Sequence, residues 1–403
     1  MLDFKAKNIE KSDYHGEGKS DSGQQVVSLA YRPRQGPTGG PGGVLFVQEN
    51  ILGNNLDGIS LDYEYKPPVE PSVNNKINQI ANLLGFLPRT IKAAFWAWSL
   101  AKKRTDARFI VHEPESALGL ALANAKYILI YHQQGSLVCE LKGIDIDLRF
   151  HQVMVLHLIE AWVFRKALRV YFPSIGAQKV YLETAKLNRA NSFCGGEPIY
   201  NTILTDDEEI NQEDLEIINN LSQKELVFLS VGSLYEAKGI DRIPQFLTLF
   251  KSYHQVDFTW IVVGQGVLES KIKASIFKGN LEENTQLITH KRLGHPAILK
   301  LMEIANCYIM LHRRSIFDFA TLEAMRAGCA VVLSDIGGNP EFNINNNVIL
   351  VKENNMEAIV QELSFQKLKE LGTKNQKIFQ DRFSTQNFKT RYKKAILKLI
   401  ETV

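Results

Sequence analysis

The sequence predicts an α/β protein built from two Rossmann-like domains, each with a parallel sheet, that face a common cleft. Short apolar runs alternate with helical patterns from Gln24 onward, and this alternation is typical of parallel sheets covered by helices on both faces. It restarts at Leu226, after an acidic, Asn-rich stretch at 205–223. The 403 residues are also too many for one typical hydrophobic core, so we expect two domains.

Five segments follow from these boundaries. We expect a flexible N-terminal lead-in at 1–23, a first Rossmann-like domain at 24–205, a linker at 206–225, a second Rossmann-like domain at 226–385 and an amphipathic C-terminal helix at 386–403. The lead-in is polar and charged and lacks the apolar core of a signal peptide. The amphipathic pattern of the C-terminal helix favours docking against the protein.

The elements of the first domain are predicted from the spacing of apolar residues. An apolar segment at 44–52 follows a Gly/Pro-rich loop at 36–43. Short apolar or alternating runs predict strands at 26–32, 59–65, 107–113, 126–133, 169–174 and 199–204. Apolar residues at helical spacing predict helices at 75–86, 88–103, 116–125 and 147–168.

The second domain repeats the same alternation. The predicted strands are 226–234, 257–264, 285–289, 307–312, 329–334 and 348–351. The predicted helices are 240–253, 267–276, 295–305 and 321–327. Such sheets bind ligands at the carboxyl ends of their strands, so residues just past each strand are the first candidates for a site.

Composition argues against several classes of protein. The formal net charge is only +3, which is too close to neutral to indicate a nucleic-acid partner. The four cysteines form no C-x-x-C pair and no Cys/His cluster, so we expect neither a zinc site nor a disulfide framework. A reducing cytoplasmic compartment fits this cysteine usage. No run of about 18 uncharged apolar residues occurs, so we expect no membrane-spanning helix.

Residues near strand ends of the second domain indicate a phosphate site. Lys238 lies just past a strand and before a helix, where its charge can neutralise a diphosphate; a solvated surface lysine is the alternative. Free N–H groups at a helix start near Thr321 favour phosphate. Glu323, in the first turn of that helix, can accept hydrogen bonds from a ribose diol. Gly337 and Gly338 allow a close backbone turn.

Three segments of the second domain resemble the retaining glycosyltransferases of family 4, which have the GT-B fold of two facing Rossmann-like domains. The segments are FLSVGSLYEAKGID, IVVGQGVLESKI and LEAMRAGCAVVLSDIGGNPE. Their order and spacing match that family, and the likeness extends over about 226–365. Weaker likenesses in the first domain are the Gly42–Gly43 pair, FIVHEPESALG, YILIYHQQGS and IYNTI.

This resemblance implies transfer of a sugar from a UDP- or GDP-linked donor, with retention at the anomeric carbon, to a glycan or lipid-linked glycan acceptor. It implies no metal and no cofactor beyond the donor substrate. The expected setting is bacterial surface polysaccharide synthesis, such as capsule or lipopolysaccharide, in the cytoplasm or on the cytoplasmic face of the inner membrane. The first domain would face the acceptor, and the second would bind the nucleotide-sugar.

The resemblance also assigns roles to individual residues. Catalytic roles fall on His132, Lys238, Asp318 and Glu323. Donor-binding roles fall on Gly42, Gly43, Ser233, Lys238, Arg313, Arg314, Ser315, Phe317, Phe319, Ala320, Thr321 and Glu323. The loop beside the nucleotide base is formed by His290, Lys291 and Arg292, and the acceptor candidates are His112 and Glu113. A buried structural histidine is the alternative for His132.

Two positions depart from the family pattern. Ser233 stands where the family has an arginine that helps to bind the diphosphate. Ser315 stands where it has the first glutamate of an E-x7-E motif, which contacts the donor sugar. We hypothesise that Arg313 or Arg314 restores the lost positive charge and that Asp318 restores the lost carboxylate. The alternative is that both arginines are surface charges.

The segment at 86–104 combines aromatic side chains with five basic residues. Trp96, Lys102, Lys103 and Arg104 are therefore candidates for contact with an anionic membrane surface. An ordinary core helix with a solvated basic end explains the same pattern.

Two other functions remain open at this point. Loss of the family arginine and glutamate fits a catalytically inactive glycosyltransferase-like protein that binds a partner or a glycan. A nucleotide-sugar epimerase shares the GT-B architecture, although the L-E-A-M segment and the V-G…K-G spacing suit a transferase better. Release of nucleoside diphosphate from a sugar donor would separate an enzyme from a scaffold.

Overall fold

The computed structural model describes residues 25–34, 36, 40–143, 146–185, 197–204, 209–221 and 224–401. Within them the chain forms two six-stranded sheets with helices packed around them. The predicted α/β class with two parallel sheets is therefore confirmed. The predicted lead-in at 1–23 lies outside the described residues.

The first sheet is built from the N-terminal half of the chain. Its strands are β1 (Gln25–Ala30), β2 (Asn55–Leu56), β3 (Ile59–Tyr65), β4 (Arg108–Val111), β5 (Tyr127–Ile130) and β6 (Arg169–Tyr171). Its helices are α1 (Pro41–Leu52), α2 (Asn75–Leu83), α3 (Pro88–Lys103), α4 (Pro114–Leu122), α5 (Leu137–Gly143), α6 (Phe150–Lys166) and α7 (Ile175–Thr184). The strand order is β2-β3-β1-β4-β5-β6, and only the short β2 runs antiparallel to its neighbour.

The second sheet is built from the C-terminal half. Its strands are β7 (Leu226–Val231), β8 (Phe258–Val263), β9 (Thr285–Ile288), β10 (Cys307–Met310), β11 (Ala330–Ser334) and β12 (Val348–Val351). The helices are α8 (Gln212–Asn219), α9 (Ile243–Tyr253), α10 (Glu269–Lys278), α11 (His295–Ile304), α12 (Phe319–Ala327), α13 (Met356–Gln361), α14 (Phe365–Ile378) and α15 (Thr385–Glu401). The strand order is β12-β11-β10-β7-β8-β9, with every neighbouring pair parallel.

Each sheet has a point where the strand order reverses. In the second sheet this point lies between β7 and β10, and in the first it lies between β1 and β4. Loops leaving the carboxyl ends of such neighbouring strands diverge, and the crevice between them is where open α/β sheets bind ligands. Both crevices open toward the same interdomain cleft.

Several local predictions were wrong. The segment at 199–204 is not a strand, although its apolar residues are buried: Ile199 bonds to Phe172 through its backbone and Thr202 reaches the carbonyl of Phe383. It packs across the core and does not pair with β6. The pattern of apolar residues indicates which side chains are buried, but it does not show whether the segment forms the hydrogen bonds of a strand. Five further helices in the described parts of the chain were not predicted: α5, α7, α8, α13 and α14. Of these, α8 lies inside the predicted linker.

The C-terminal helix α15 returns to the first domain. Its Leu399 carbonyl accepts a hydrogen bond from Arg108 at 2.5 Å. The ring of Tyr392 stacks on His112 with centroids 6.5 Å apart, and Lys393 pairs with Asp57. The chain therefore crosses between the two domains a second time after it has completed the second sheet.

Helix α3 divides its aromatic residues between the core and the surface. Trp96, expected at a membrane surface, instead packs on the buried ring of Tyr31 with centroids 5.5 Å apart. Arg104 also differs from the prediction, since it pairs with Asp62 and Glu64 at 2.6 Å each. The exposed aromatic side chains on this helix are Phe95 and Trp98, at 47% and 37%.

The two domains are joined by hydrogen bonds that converge on Glu341, in a turn (Asn339–Phe342) after β11. Its carboxylate accepts bonds from the backbone N–H groups of Ile175 (2.9 Å) and Gly176 (2.6 Å), at the start of α7. Tyr200 donates its hydroxyl to the same carboxylate at 2.8 Å. Free N–H groups at a helix start favour a negative charge, so this contact stabilises the closed arrangement of the domains.

Replacing Glu341 with alanine is expected to open the cleft. The change leaves two helix-start N–H groups and a tyrosine hydroxyl without their acceptor, which costs the closed arrangement about 1–3 kcal/mol. Small-angle X-ray scattering should show a larger radius of gyration for this variant. Glu282→Gln, which alters an exposed carboxylate just before β9, is the control, and equal scattering from both variants would contradict the role of Glu341.

Candidate active site

A cavity of about 440 Å³ lies between the two domains. The first domain contributes residues that follow β1, begin α1 or follow β5, and the second contributes residues that follow β7 and β10. The predicted site residues that line it are His132, Lys238, Arg314, Ser315, Phe317, Asp318 and Phe319. Residues beside the strand-order reversals of both sheets therefore line the same cavity.

Helix α1 begins at the cavity wall. Gly40 and Pro41 line the cavity, whereas the predicted pair Gly42 and Gly43 lies inside the first turn of the helix and not in the loop before it. A Cβ on Gly42 would press on the side chain of Arg32, so glycine lets the helix start approach that arginine closely. The free N–H groups of this first turn are available to an anion in the cavity.

Lys238 forms an ion pair at the opposite wall. Its Nζ lies 2.8 Å from Oδ1 of Asp318, which is the residue just before α12. Burial raises the pKa of Asp318, but Lys238, His312 and the backbone N–H of Thr321 outweigh burial and lower it to about 2. Asp318 is therefore charged at neutral pH.

The turn after Lys238 is held by a glycine. Gly239 has a φ of 65° in the left-handed region, and a Cβ there would collide with the carbonyl oxygen of Leu311. Since Leu311 directly follows β10, the turn after β7 is pressed against the loop after β10. This close approach places Lys238 beside Asp318 although 80 residues separate them in sequence.

The loop after β10 separates the two arginines of the repair hypothesis. Arg314 lines the cavity. Arg313 instead binds Asp241 through both terminal nitrogens, at 2.7 and 2.9 Å, which holds its side chain away from the cavity lining. Ser315 lines the cavity and is buried, and its hydroxyl has no partner among the described residues. The carbonyl of Ser315 accepts a hydrogen bond from the N–H of Gly338 at 3.2 Å, which fixes this loop.

Replacing Arg313 with alanine is expected to lower stability and leave nucleotide binding unchanged. Asp241 has a side chain only 2% exposed, shared between Arg313 and Lys271. Removing one cation should cost about 1–2 kcal/mol, less than the loss of a fully buried pair, because Lys271 remains. Thermal unfolding and UDP titration measure the two effects. A large loss of UDP affinity would restore Arg313 to the donor site.

His312 is a cavity residue that the sequence analysis missed. It is buried, and its Nε2 lies 4.0 Å from Oδ1 of Asp318. Burial and the charge of Lys238 lower the pKa of His312 to about 4 against the opposing effect of Asp318. Its position two residues past β10 was the signal that could have found it.

Glu323 lies deeper than predicted. Because α12 begins at Phe319, Glu323 falls in the second helical turn and not the first. It is 5% exposed, and its Oε1 lies 2.7 Å from Nε2 of His295 on α11. Neither Glu323 nor the nearby Ala320 and Thr321 is part of the cavity lining. The hydroxyl of Thr321 is buried beside Tyr308.

The remaining predicted donor residues lie outside the cavity. Lys291 binds Glu213 and Asp214 of α8 at 2.8 Å each, so its side chain supports the interdomain segment. His290 and Arg292 are exposed. Ser233 follows β7 but is also exposed and does not line the cavity.

His132 joins a chain of hydrogen bonds in the first domain. His112 Nε2 lies 2.9 Å from the amide oxygen of Gln48, and His112 Nδ1 lies 3.2 Å from Nε2 of His132. Nε2 of His112 also lies 3.1 Å from Oγ of Ser28, which extends this buried polar cluster. Burial lowers the pKa of His132 to about 3, so it is too weakly basic to act as a general base at neutral pH.

The two predicted acceptor contacts, His112 and Glu113, do not line the cavity. His112 is fully buried behind His132, and its pKa is lowered by burial and by that neighbour. Glu113 is also fully buried, and its Oε2 binds Arg89 (3.2 Å) and Arg32 (3.3 Å). Both arginines line the cavity. The residues that end β4 thus face inward and hold cavity residues in place.

Sequence reasoning missed most of the polar lining of the first domain. These cavity residues are Arg32, Arg89, Glu115, Gln133, Gln134, Glu140 and, beyond β6, Asn201. Arg32, Gln133 and Gln134 follow strands directly, so a search of strand ends could have found them. Arg89 and Glu140 lie on helices, and nothing in the local sequence marks them.

The described residues include no helix long and apolar enough to cross a membrane. In the same parts of the chain, no group of three or more His, Cys, Asp or Glu side chains is placed to hold a metal ion.

Comparison with known proteins finds similarity to glycosyltransferases. The family described as glycosyl transferases group 1 matches residues 211–382. An uncharacterized glycosyltransferase of Methanocaldococcus jannaschii is 22% identical over 289 residues, which cover 64% of this chain and 76% of that one.

Two solved structures show the same architecture. Sucrose-phosphate synthase from Thermosynechococcus elongatus aligns with a TM-score of 0.68 and 15% identity, covering 94% of this chain and 100% of that one. HepE from Anabaena, in complex with UDP and glucose, aligns with a TM-score of 0.59 and 15% identity over 93% and 99% of the two chains. The two facing parallel sheets show that this chain has the GT-B fold, and the match over residues 211–382 to glycosyl transferases group 1 indicates a glycosyltransferase.

Proposed function

We propose that the protein is a retaining glycosyltransferase that transfers a sugar from a UDP- or GDP-linked donor to a glycan or lipid-linked glycan. We place it in bacterial surface polysaccharide synthesis, on the cytoplasmic side of the membrane. The observation that carries the donor assignment is the meeting of Lys238, Arg314 and the starts of α1 and α12 around one interdomain cavity. HepE, which has the same fold, is seen with UDP and glucose.

These groups suit a departing nucleoside diphosphate. Negative charge grows on the leaving phosphate as the bond to the sugar breaks, and preorganised cations and N–H groups stabilise that charge most in a water-poor site. In our proposal Lys238 and Arg314 supply the charge, and the two helix starts supply N–H groups. This arrangement takes over the task of the arginine that Ser233 replaces, and we propose that it acts without a metal.

Asp318 takes a second part in the proposal. It is tied to Lys238 in the free protein, and arriving phosphate oxygens would compete for that lysine. The released carboxylate can then accept hydrogen bonds from hydroxyl groups of the donor sugar. The ring of His132 can form a hydrogen bond with another hydroxyl from across the cavity. We keep Glu323 as the proposed ribose contact, which requires the nucleoside to extend beyond the cavity toward α11.

An inactive binding protein is not favoured as an alternative, since the cavity keeps Lys238 with a charged partner and a second cation in Arg314. The test is release of free nucleoside diphosphate from UDP- and GDP-linked glucose, galactose, mannose and N-acetylglucosamine. We expect slow hydrolysis of one donor class, with thermal stabilisation by the matching nucleotide. The proposal fails if no donor is hydrolysed and neither UDP nor GDP raises the melting temperature. Anomer analysis of the released product by NMR tests retention.

We also propose that helix α3 contacts an anionic membrane through Phe95 and Trp98. Their rings stack at 5.9 Å and are exposed, and Lys102 and Lys103 end the same helix. Exposed aromatic rings beside lysines are the composition of an interfacial helix.

A Phe95→Ser/Trp98→Ser variant is expected to lose flotation with phosphatidylglycerol vesicles. The control is Phe277→Ser in the second domain, which removes a ring that is 73% exposed and should leave flotation unchanged. Absence of wild-type flotation, or equal loss in both variants, would argue against membrane contact by α3.

A further inference from the structure

The first-domain wall of the cavity contains a pair of arginines that the donor assignment does not use. Arg32 follows β1, and Arg89 lies in the first turn of α3. Arg32 Nε and Arg89 Nη2 contact the same atom, Oε2 of Glu113, at 3.3 and 3.2 Å. Two guanidinium groups that share one oxygen must lie side by side, so the chain has built a fixed pair of cations at this wall.

Glu113, which holds the two arginines, is buried, and both of its carboxylate oxygens have partners. The Glu113 side chain is 0% exposed, and its other oxygen accepts hydrogen bonds from the N–H of Tyr31 and the hydroxyl of Ser116. Burial raises the pKa of Glu113, while Arg89 and these hydrogen bonds oppose that rise. A carboxylate placed this deeply serves to orient the arginines and cannot itself contact a ligand.

Among the described residues, Glu113 is the side chain that pairs with either arginine, which leaves their other N–H groups available on the cavity side. Each uses one nitrogen on Glu113, and their side chains remain 32% and 40% exposed. One carboxylate faces two guanidinium groups, so the cluster has an excess of positive charge. Planar guanidinium groups held in advance bind phosphate or carboxylate with little further loss of side-chain freedom.

The neighbouring part of the cavity wall carries carboxyl groups instead of cations. Glu115 and Glu140 also line the cavity. Glu115 Oε2 is buried with no hydrogen-bond partner among the described residues, and Glu140 accepts a bond from the N–H of Gln134 at 3.1 Å. Burial, and then the charge of Glu113, raise the pKa of Glu115 to about 7. Such carboxyl groups can form hydrogen bonds with the hydroxyl groups of a sugar.

We propose that this wall binds an acceptor sugar bearing an anionic group, a phosphate or a carboxylate, which Arg32 and Arg89 hold while Glu115 and Glu140 take its hydroxyls. The inference rests on the proposed function, because it names the acceptor class of the same cavity. It accounts for the buried position of Glu113 and for an arginine pair on the wall that faces Lys238 across the cavity. Arg32 and Arg89 are then specificity-determining residues of the acceptor side.

The test uses three sugar probes that differ in charge: glucose 6-phosphate, glucuronate and glucose. Binding to the full chain is measured by calorimetry with and without saturating UDP. We expect at least one anionic sugar to bind tenfold or more tightly than glucose, and the preferred probe identifies phosphate or carboxylate as the anion. Arg32→Gln and Arg89→Gln should each remove most of this preference, and Arg89→Lys should keep part of it.

Arg34→Gln is the matched control, because Arg34 is an exposed arginine paired with Glu49 and should leave the preference unchanged. Thermal unfolding of each variant reports any loss of fold. Equal binding of glucose and the anionic sugars, or a preference that survives in both glutamine variants, would overturn the proposal. A tenfold loss of UDP affinity in Arg89→Gln would also overturn it, by assigning the pair to the donor diphosphate. Failure of wild type to bind UDP would instead count against the proposed function, since the sugar probes are also measured without nucleotide.

Discussion

Replacing Lys238 with alanine is expected to slow sugar transfer by about 10²–10³-fold, the usual cost of removing one preorganised group that stabilises charge in a transition state. The lysine lies at the strand-order reversal of the second sheet, where the turn after β7 meets the loop after β10. Its charge acts on the leaving diphosphate, so the loss should appear in kcat as well as in kcat/KM for the donor. Steady-state kinetics with the donor identified by the hydrolysis panel measure it.

The control for this prediction lies at the other end of β7. Lys224 precedes β7 at its amino end and pairs with Asp257 at 2.7 Å, so Lys224→Ala should keep normal rates. Lys238→Arg should recover part of the activity, because arginine keeps the positive charge but carries it on a planar guanidinium group. Near-normal turnover by Lys238→Ala in a folded protein would mean that another group stabilises the leaving diphosphate.

Replacing Asp318 with asparagine is expected to tighten UDP binding by about 5–10-fold and to slow transfer by tenfold or more. In the free protein the carboxylate holds Lys238 at 2.8 Å, and a diphosphate that approaches the lysine meets this negative charge. Like charges a few ångströms apart near a protein surface repel by a few kcal/mol at most, and asparagine removes that repulsion. It also removes the charged acceptor proposed for the donor sugar, so affinity and rate should move in opposite directions.

Calorimetry with UDP and single-turnover transfer separate these two effects. The matched control is Asp335→Asn, which alters a carboxylate that pairs with Lys352 at 3.0 Å just past β11. We expect it to change neither quantity. Weaker UDP binding by Asp318→Asn would show that the ion pair shapes the site instead of competing with the ligand. The pKa of Asp318, lowered to about 2 chiefly by Lys238 against the effect of burial, keeps the group charged throughout the neutral range, so the difference between the two proteins does not depend on titration of this group.

The residues that sequence reasoning placed correctly in the cavity lie on short segments directly after strands. Lys238 follows β7, and Arg314, Ser315 and Asp318 follow β10. Parallel strands bring their carboxyl ends to one edge of a sheet, so finding the strands was enough to bring these residues together. The motif spacing then indicated which strand ends belonged to one site.

The local sequence did not determine the direction in which each side chain points. Arg313 and Arg314 are adjacent, and only one faces the cavity, because Asp241 lies 72 residues upstream and captures the other. His112 and Glu113 also follow a strand, yet they turn into the core toward Gln48 and the arginine pair. Such partners belong to distant elements, and no spacing rule within a strand–loop–helix unit reveals them.

Short or irregular elements were the other source of error. Helices α5, α7 and α8 contain seven, ten and eight residues and were not predicted. Helix α12, with nine residues, was predicted, so length alone does not explain these errors. The start of α7 nevertheless receives Glu341 from the second domain. The contact that joins the two sheets therefore depends on elements that the sequence pattern did not mark.

A crystal structure of the protein with UDP tests the central claim most directly, which is that the interdomain cavity grips a nucleoside diphosphate through amide groups and side-chain cations. The account predicts the diphosphate within hydrogen-bond distance of Lys238 Nζ, beside Arg314 and the start of α1, with the Lys238–Asp318 pair broken. Diphosphate bound elsewhere on the protein, or a cavity that stays closed by an intact Lys238–Asp318 pair at saturating UDP, would contradict it.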